Sequence, residues 1–218
     1  MIELILPEPV TSAESRALDE PIDLFPAEVE HISRSVPRRQ QEFRAVRACA
    51  RRALAVLGLP PVPLLPGPKG EPRWPMGVVG SMTHCAGYRA AALAPAEAVL
   101  TLGIDAEVNE PLPEGVLEAI ALPEELPMLA ALRRADPTVH GDRLLFSAKE
   151  SVYKAWFPLA KVMLDFSEAA LTIDPDGTFS ARLLVPGPFA EGRRLTGFEG
   201  HWVAADGLVA TAITVVRG

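Results

Sequence analysis

Apolar residues recur at helical spacing from Pro37 onward, at Phe43, Val46, Ala50, Leu54 and Leu57, with proline in the first turn and Gly58 at the stop. A second helix is predicted from Asp142 to Phe157, with Phe146, Tyr153 and Phe157 on one side and Pro158 as its end. Strand patterns fill much of the rest. Val78–Met82 and Tyr88–Ala94 read as a hairpin with Thr83 and His84 at the bend. Val99–Val108 alternates, putting Leu100, Leu102, Ile104, Ala106 and Val108 on a core face and Thr101, Gly103, Asp105 and Glu107 on a polar one. Beyond Pro158 the strands are Ala169–Ile173, Phe179–Val185, Leu195–Ala204 and Leu208–Val216, with turns at Pro175-Asp176-Gly177 and Asp206-Gly207.

Three stretches lack a sustained period. Residues 1–25 read as an extended lead-in. Gly58–Pro75 holds seven prolines, which forbid helix and central strand and predict a stiff surface loop. Glu110–Pro137 carries short apolar sets and predicts short helices. No repeat stands out by residue identity, yet a helix followed by a hairpin occurs in both halves, with a break near residue 100. The expected class is α+β: two similar small lobes, residues 1–100 and 101–218, each with antiparallel strands and a packed helix, forming a cleft between them.

Composition narrows the function classes. A formal charge of -7 and a pI near 5.2 exclude a general nucleic-acid binder, so an anionic ligand must meet a local basic patch. No run approaches the ~18 apolar residues of a membrane span. The acidic, proline-containing start does not resemble a signal peptide, and Cys49 and Cys85 lie outside any C-x-x-C spacing, so the expectation is a cytoplasmic protein without membrane contact. Two lobes in one chain suffice to close a cleft, which makes a monomer the expected state.

Asp105 and Glu107, two apart on a strand, project from one face about 7 Å apart at Cα and can share a hard cation. A bare D-x-E is also the ordinary polar face of an antiparallel strand. Glu150 and Lys154 stack at i and i+4 beside an apolar stripe, as a surface pair or as a carboxylate and an ammonium bordering a cleft. Arg44, Arg47 and Arg51 lie within about 60° on the wheel beside the apolar stripe, and serve either as a solvated flank or as a cleft wall. Together, a third carboxylate and a lysine near a two-carboxylate site point to Mg²⁺ and phosphate chemistry.

Three blocks in order, Gly80-Ser81-Met82-Thr83-His84-Cys85, Gly103-Ile104-Asp105-Ala106-Glu107 and Phe146-Ser147-Ala148-Lys149-Glu150-Ser151-Val152-Tyr153-Lys154, resemble the Sfp-type 4'-phosphopantetheinyl transferases. Trp74-Pro75 before the first block fits the subgroup resembling enterobactin-synthase component D. The resemblance implies transfer of phosphopantetheine from coenzyme A to a serine of an acyl or peptidyl carrier protein, with Mg²⁺ and release of 3',5'-ADP. It implies that Asp105, Glu107 and Glu150 hold the metal, that Glu150 and Lys154 are catalytic, and that Lys154 and Lys149 contact phosphate. It further implies that Arg39, Arg47, Lys69, Thr83 and His84 grip coenzyme A, leaving Arg44 and Arg51 at the surface. Apolar docking of the carrier is expected near Val116–Leu132. A catalytically silent coenzyme A binding module and a metal-dependent phosphodiesterase are the alternatives.

Overall fold

The computed structural model describes residues 1–17 and 22–218. After a single 3-10 turn at Ile2–Ile5 come strand β1 (Thr11–Ser15) and helices α1 (Pro26–Ile32) and α2 (Pro37–Val56). Strands β2 (Val78–Cys85), β3 (Tyr88–Pro95) and β4 (Val99–Val108) follow, then helices α3 (Val116–Ile120), α4 (Leu126–Ala135) and α5 (Gly141–Ala160). The chain closes with β5 (Ala169–Ile173), β6 (Thr178–Leu183), the short β7 (Phe189–Ala190) and β8 (Arg193–Arg194), β9 (Gly197–Ala205) and β10 (Leu208–Val216). Pro26 and Pro37 open α1 and α2, where the missing N–H has no helical partner to lose.

The fold is α+β, with antiparallel sheets in both halves. One sheet has the order β1-β3-β2, and α2 covers the face that presents Ala91 and Leu93. The second has the order β4-β10-β9-β6-β5, and α5 lies across β4 and β10. The opposite face of β3, with Tyr88, Ala90 and Ala92, packs against Ile104, Ala106 and Ala210 in a shared core. Small side chains on β3 let layers approach from both sides.

The two sheets meet at a seam between β2 and β4 that is bridged by side chains. The Ile104 N–H donates to Ser81 Oγ at 3.0 Å, and the Ala106 N–H donates to Thr83 Oγ1 at 3.0 Å. Both hydroxyls are buried and satisfy strand donors that no ladder carbonyl reaches. Asp105 lies between these two donors, so the seam presents its carboxylate at the junction of the halves.

Several sequence expectations need correction. The hairpin turns at Ala86-Gly87, with Gly87 at φ +75, so Thr83 and His84 lie within β2 rather than at the bend. The polar face of β4 is buried: Thr101 is 1% and Asp105 4% exposed, because α5 covers it. Gly103 permits this approach, since an added Cβ would collide with the Ser151 carbonyl oxygen. The lead-in contributes β1, which pairs with β3, and a fully buried Ile2; residues 18–21 of that stretch lie outside the described residues. Pro158 falls inside the last turn of α5, which runs on to Ala160. The proline-rich loop is anchored by Leu64, which is fully buried.

A repeated device that the sequence reading missed links each lobe's main helix to a preceding turn. Phe25-Pro26-Ala27-Glu28 opens α1, and Leu122-Pro123-Glu124-Glu125 precedes α4. Each fourth-position glutamate accepts the N–H of the first residue of its quartet, at 2.9 Å for Glu28 and 2.7 Å for Glu125. Each also accepts a distant backbone N–H at 2.8 Å, from Leu64 and Leu171 respectively. Each is paired with a cation on the long helix, Arg51 of α2 or Lys149 of α5.

Candidate active site

Strand β4 and helix α5 bring Asp105, Glu150 and Lys154 together. Helix α5 is pinned to the sheet by hydroxyls: Thr101 donates to the Ala155 carbonyl at 2.7 Å, and Thr211 to the Ser147 carbonyl at 3.0 Å. Ser147, Ser151 and Ala155 thereby face the sheet, and the neighbouring Glu150 and Lys154 turn toward a cleft of about 940 Å³. The Lys154 ammonium donates to Asp105 Oδ1 at 2.7 Å and to the Ile104 carbonyl at 3.1 Å. Its partner is thus the strand carboxylate, rather than the Glu150 that the i, i+4 spacing suggests.

Thr83 is 3% exposed, and its hydroxyl donates to Asp105 Oδ1 at 3.1 Å. Its direct partner is the Asp105 carboxylate. Asp105 Oδ2 is buried without any donor. Glu107 is pushed up to about 7 by burial and then by the Asp105 charge, while Arg143 at 3.2 Å and Lys154 oppose the rise. Burial raises Glu150 as well, Lys154 opposes, and Asp105 adds to the rise. Burial is the main cause of both rises, although Lys154 pairs with Asp105 and Arg143 with Glu107.

The other wall of the cleft is cationic. Arg39, Arg47, Lys69 and His84 all line it, together with Glu150, Tyr153 and Lys154. Arg39 Nη1 donates to His84 Nε2 at 3.0 Å, which makes that nitrogen an acceptor and the ring neutral. Burial holds His84 below the usual histidine range; Glu42 opposes this, and Arg39, Lys154 and Arg89 add to it. Arg47 is 6% exposed, with its guanidinium over the Phe43 ring at 3.2 Å and its Nε donating to the Leu64 carbonyl at 3.0 Å. Burial lowers it to about 10, with Glu28 opposing, so it stays charged at neutral pH. The buried Arg47 guanidinium, Arg39, Lys69 and the His84 imidazole give this wall donors suited to a phosphate.

Lys149 departs from its expected place. Its ammonium is buried, paired with Glu125 at 3.0 Å, and donates to the Phe166 and Ala169 carbonyls at 2.8 and 3.1 Å. One residue along the helix from Glu150, it points 100° away around the axis and fastens α5 to the segment before β5. Arg51, expected at the surface, is tied to Glu28 and donates to the Asp23 carbonyl at 2.7 Å. On the docking stretch, Leu117 and Met128 pack against the core and Leu126 is the exposed large apolar residue. Sequence reasoning missed Arg143, which grips Glu107 and donates to the Glu110 and Pro111 carbonyls at 3.0 Å each. It also missed Ser81, Glu28 and Glu125; the recurring apolar-Pro-x-Glu quartet was the signal for the last two.

The donor set is all oxygen, which suits Mg²⁺. The orphaned Asp105 Oδ2 and the raised Glu107 and Glu150 fit a divalent cation chemically. Among the described residues no three His, Cys, Asp or Glu side chains already converge as a cage. Mg²⁺ does not demand one, since it completes its shell with waters and substrate phosphate oxygens.

Residues 27–94 match the 4'-phosphopantetheinyl transferase N-terminal domain, and residues 101–210 match the 4'-phosphopantetheinyl transferase superfamily. The chain belongs to this superfamily, transferase enzymes that act on carrier proteins with coenzyme A as substrate. It is 60% identical to the 4'-phosphopantetheinyl transferase Svp of Streptomyces mobaraensis over 99% of this chain and 89% of that protein. It is 48% identical to Npt of Nocardia iowensis over 98% and 99%, and 50% identical to PptT of Mycobacterium tuberculosis over 88% and 86%, both also 4'-phosphopantetheinyl transferases. No helix among the described residues is long and apolar enough to cross a membrane.

Proposed function

We propose that the chain moves the 4'-phosphopantetheine group of coenzyme A onto a serine hydroxyl of an acyl or peptidyl carrier protein domain, in a Mg²⁺-dependent reaction that releases 3',5'-ADP. The observation that carries this reading is one cleft with a cationic wall of Arg39, Arg47, Lys69 and His84 facing Glu150 and the Asp105-held Lys154. Asp105, Glu107 and Glu150 are the donors that would hold Mg²⁺, which when bound neutralises the pyrophosphate charge.

The serine oxygen bonds to the β-phosphorus as the bond to the bridging oxygen of the 3',5'-ADP leaving group breaks. Glu150 accepts the serine proton; burial raises its pKa above the ordinary carboxylate range, which makes it a stronger base. Lys154, steadied by Asp105, neutralises charge on the departing phosphate. Thr83 fixes the Asp105 oxygen that Lys154 uses. Arg39, Arg47, Lys69 and His84 hold the 3'-phosphate end, so attack occurs on a substrate already oriented. The proposal extends to a monomer acting in the cytoplasm, with its two lobes meeting near residue 100; both cleft walls come from one chain.

Intact mass spectrometry of an apo carrier protein incubated with this protein, coenzyme A and Mg²⁺ is the test. A gain of one phosphopantetheine mass, abolished by chelator and by Glu150→Gln, is expected. Coenzyme A breakdown without carrier modification would turn the reading into a phosphodiesterase.

A further inference from the structure

The cleft owes one of its cations to a residue that does not line it. Glu28 is fully buried, and its two carboxylate oxygens join three separate stretches of chain. Oε2 accepts the Phe25 N–H and pairs with Arg51 of α2, while Oε1 accepts the Leu64 N–H at 2.8 Å. The Leu64 carbonyl in turn receives Arg47 Nε at 3.0 Å. Leu64 is therefore held through both of its flanking peptide groups, by Glu28 on its N–H and by Arg47 on its carbonyl oxygen. Two residues farther on the same loop supplies Pro66, Gly67 and Lys69 to the cleft.

We infer that Glu28 is a positioning residue for recognition of the 3'-phosphate of coenzyme A, acting through Leu64 on Arg47 and on the loop that carries Lys69. The inference rests on the reading of Arg39, Arg47, Lys69 and His84 as the 3'-phosphate grip. A loop with seven prolines in residues 58–75 has few backbone donors of its own, so its placement depends on those that remain. Leu64 lies in the middle of that stretch. Arg47 on a helix has several rotamers, and the Leu64 carbonyl together with the Phe43 ring selects one. The companion glutamate in the second lobe, Glu125, likewise accepts a distant backbone N–H, that of Leu171, so the glutamate half of the arrangement recurs in both halves.

Selectivity tests this role in a way that stability does not. Glu28→Gln keeps the shape but turns one acceptor oxygen into a donor, facing either the Phe25 N–H and Arg51 or the Leu64 N–H. The probes are coenzyme A and 3'-dephospho-coenzyme A, with kcat/KM for carrier modification measured for each. Wild-type protein is expected to prefer coenzyme A, and Glu28→Gln to lower that preference about tenfold through a higher KM for coenzyme A. In an Arg47→Met background Glu28→Gln is expected to lower it by no more than about twofold, because the route through Arg47 is cut and only the one through the Lys69 loop remains. Glu28→Asp, one methylene shorter yet still charged beside Arg51, carries the same test if Glu28→Gln does not fold. An unchanged preference in Glu28→Gln or Glu28→Asp, with Arg47→Met abolishing it, would overturn the positioning role and leave the phosphate grip standing. A wild-type protein that accepts both substrates equally would instead overturn the grip, and the positioning role with it.

Discussion

Replacing Thr83 with valine removes one hydroxyl at nearly constant volume and tests the seam between the halves. That hydroxyl accepts the Ala106 N–H at 3.0 Å and donates to Asp105 Oδ1 at 3.1 Å. Ala106 is fully buried, so its N–H gains no water in exchange. An unsatisfied buried donor costs about 1–3 kcal/mol, and the carboxylate loses a charge-assisted bond of about 1.5–3 kcal/mol, part of which Lys154 retains. A net destabilisation of about 2–4 kcal/mol lowers Tm by about 4–16 °C in a chain of this size. Asp105 also steadies Lys154, so kcat is expected to fall about tenfold, which corresponds to about 1.4 kcal/mol of the barrier. The KM for coenzyme A stays within about threefold, since Thr83 faces the seam and not the cleft. Thermal melts and steady-state carrier modification read the two effects, with Thr83→Ser as the variant that keeps the hydroxyl and both properties. An unchanged Tm and kcat in Thr83→Val would refute the seam argument. A tenfold rise in KM at constant kcat would instead make Thr83 a direct coenzyme A contact.

Lys149→Met leaves Glu125 buried and uncompensated, which costs about 3–5 kcal/mol; Lys149→Met combined with Glu125→Gln recovers part of it, and denaturant titration of both variants checks the order. A large rise in KM for coenzyme A without any loss of stability would show instead that this ammonium reaches the substrate. His84 carries a prediction in pH. Its folded-state pKa lies below 6.5, so between that pKa and pH 6.5 the unfolded chain binds more protons than the folded one. Its contribution is therefore fully present above pH 6.5 and is lost as pH falls through the folded value. Urea midpoints measured from pH 7.5 down to 5 should decline more steeply in wild-type protein than in His84→Gln, and identical slopes would contradict the lowered pKa of that ring.

The elements themselves were legible because their causes are local. A proline start, a glycine stop and a 3.6-residue period suffice for α2, and strict alternation suffices for β4. The spacing of Asp105 to Glu107 and of Glu150 to Lys154 likewise put each pair on one face of its own element. What alternation could not report is that α5 lies over the polar face of β4, since a strand buried on both sides and one half-exposed can share a pattern. Helical spacing suggested Glu150 as the partner of Lys154, and only the packing of α5 against β4 gave the ammonium to Asp105 instead. In the same way Lys149 looked equivalent to its neighbours in a motif, yet the turn around the axis sends it to Glu125, twenty-four positions earlier in sequence.

The amino-acid sequence by itself therefore determined the two long helices, most of the strands, the hard-oxygen and basic character of the candidate site residues, and the family to which they belong. Tertiary structure decided which charged groups are partners, which hydroxyls close the seam, and which glutamate sets a loop it does not adjoin. The reason is physical: periodicity records which way a side chain leaves its own backbone, whereas a hydrogen bond or ion pair depends on where a second, distant backbone passes.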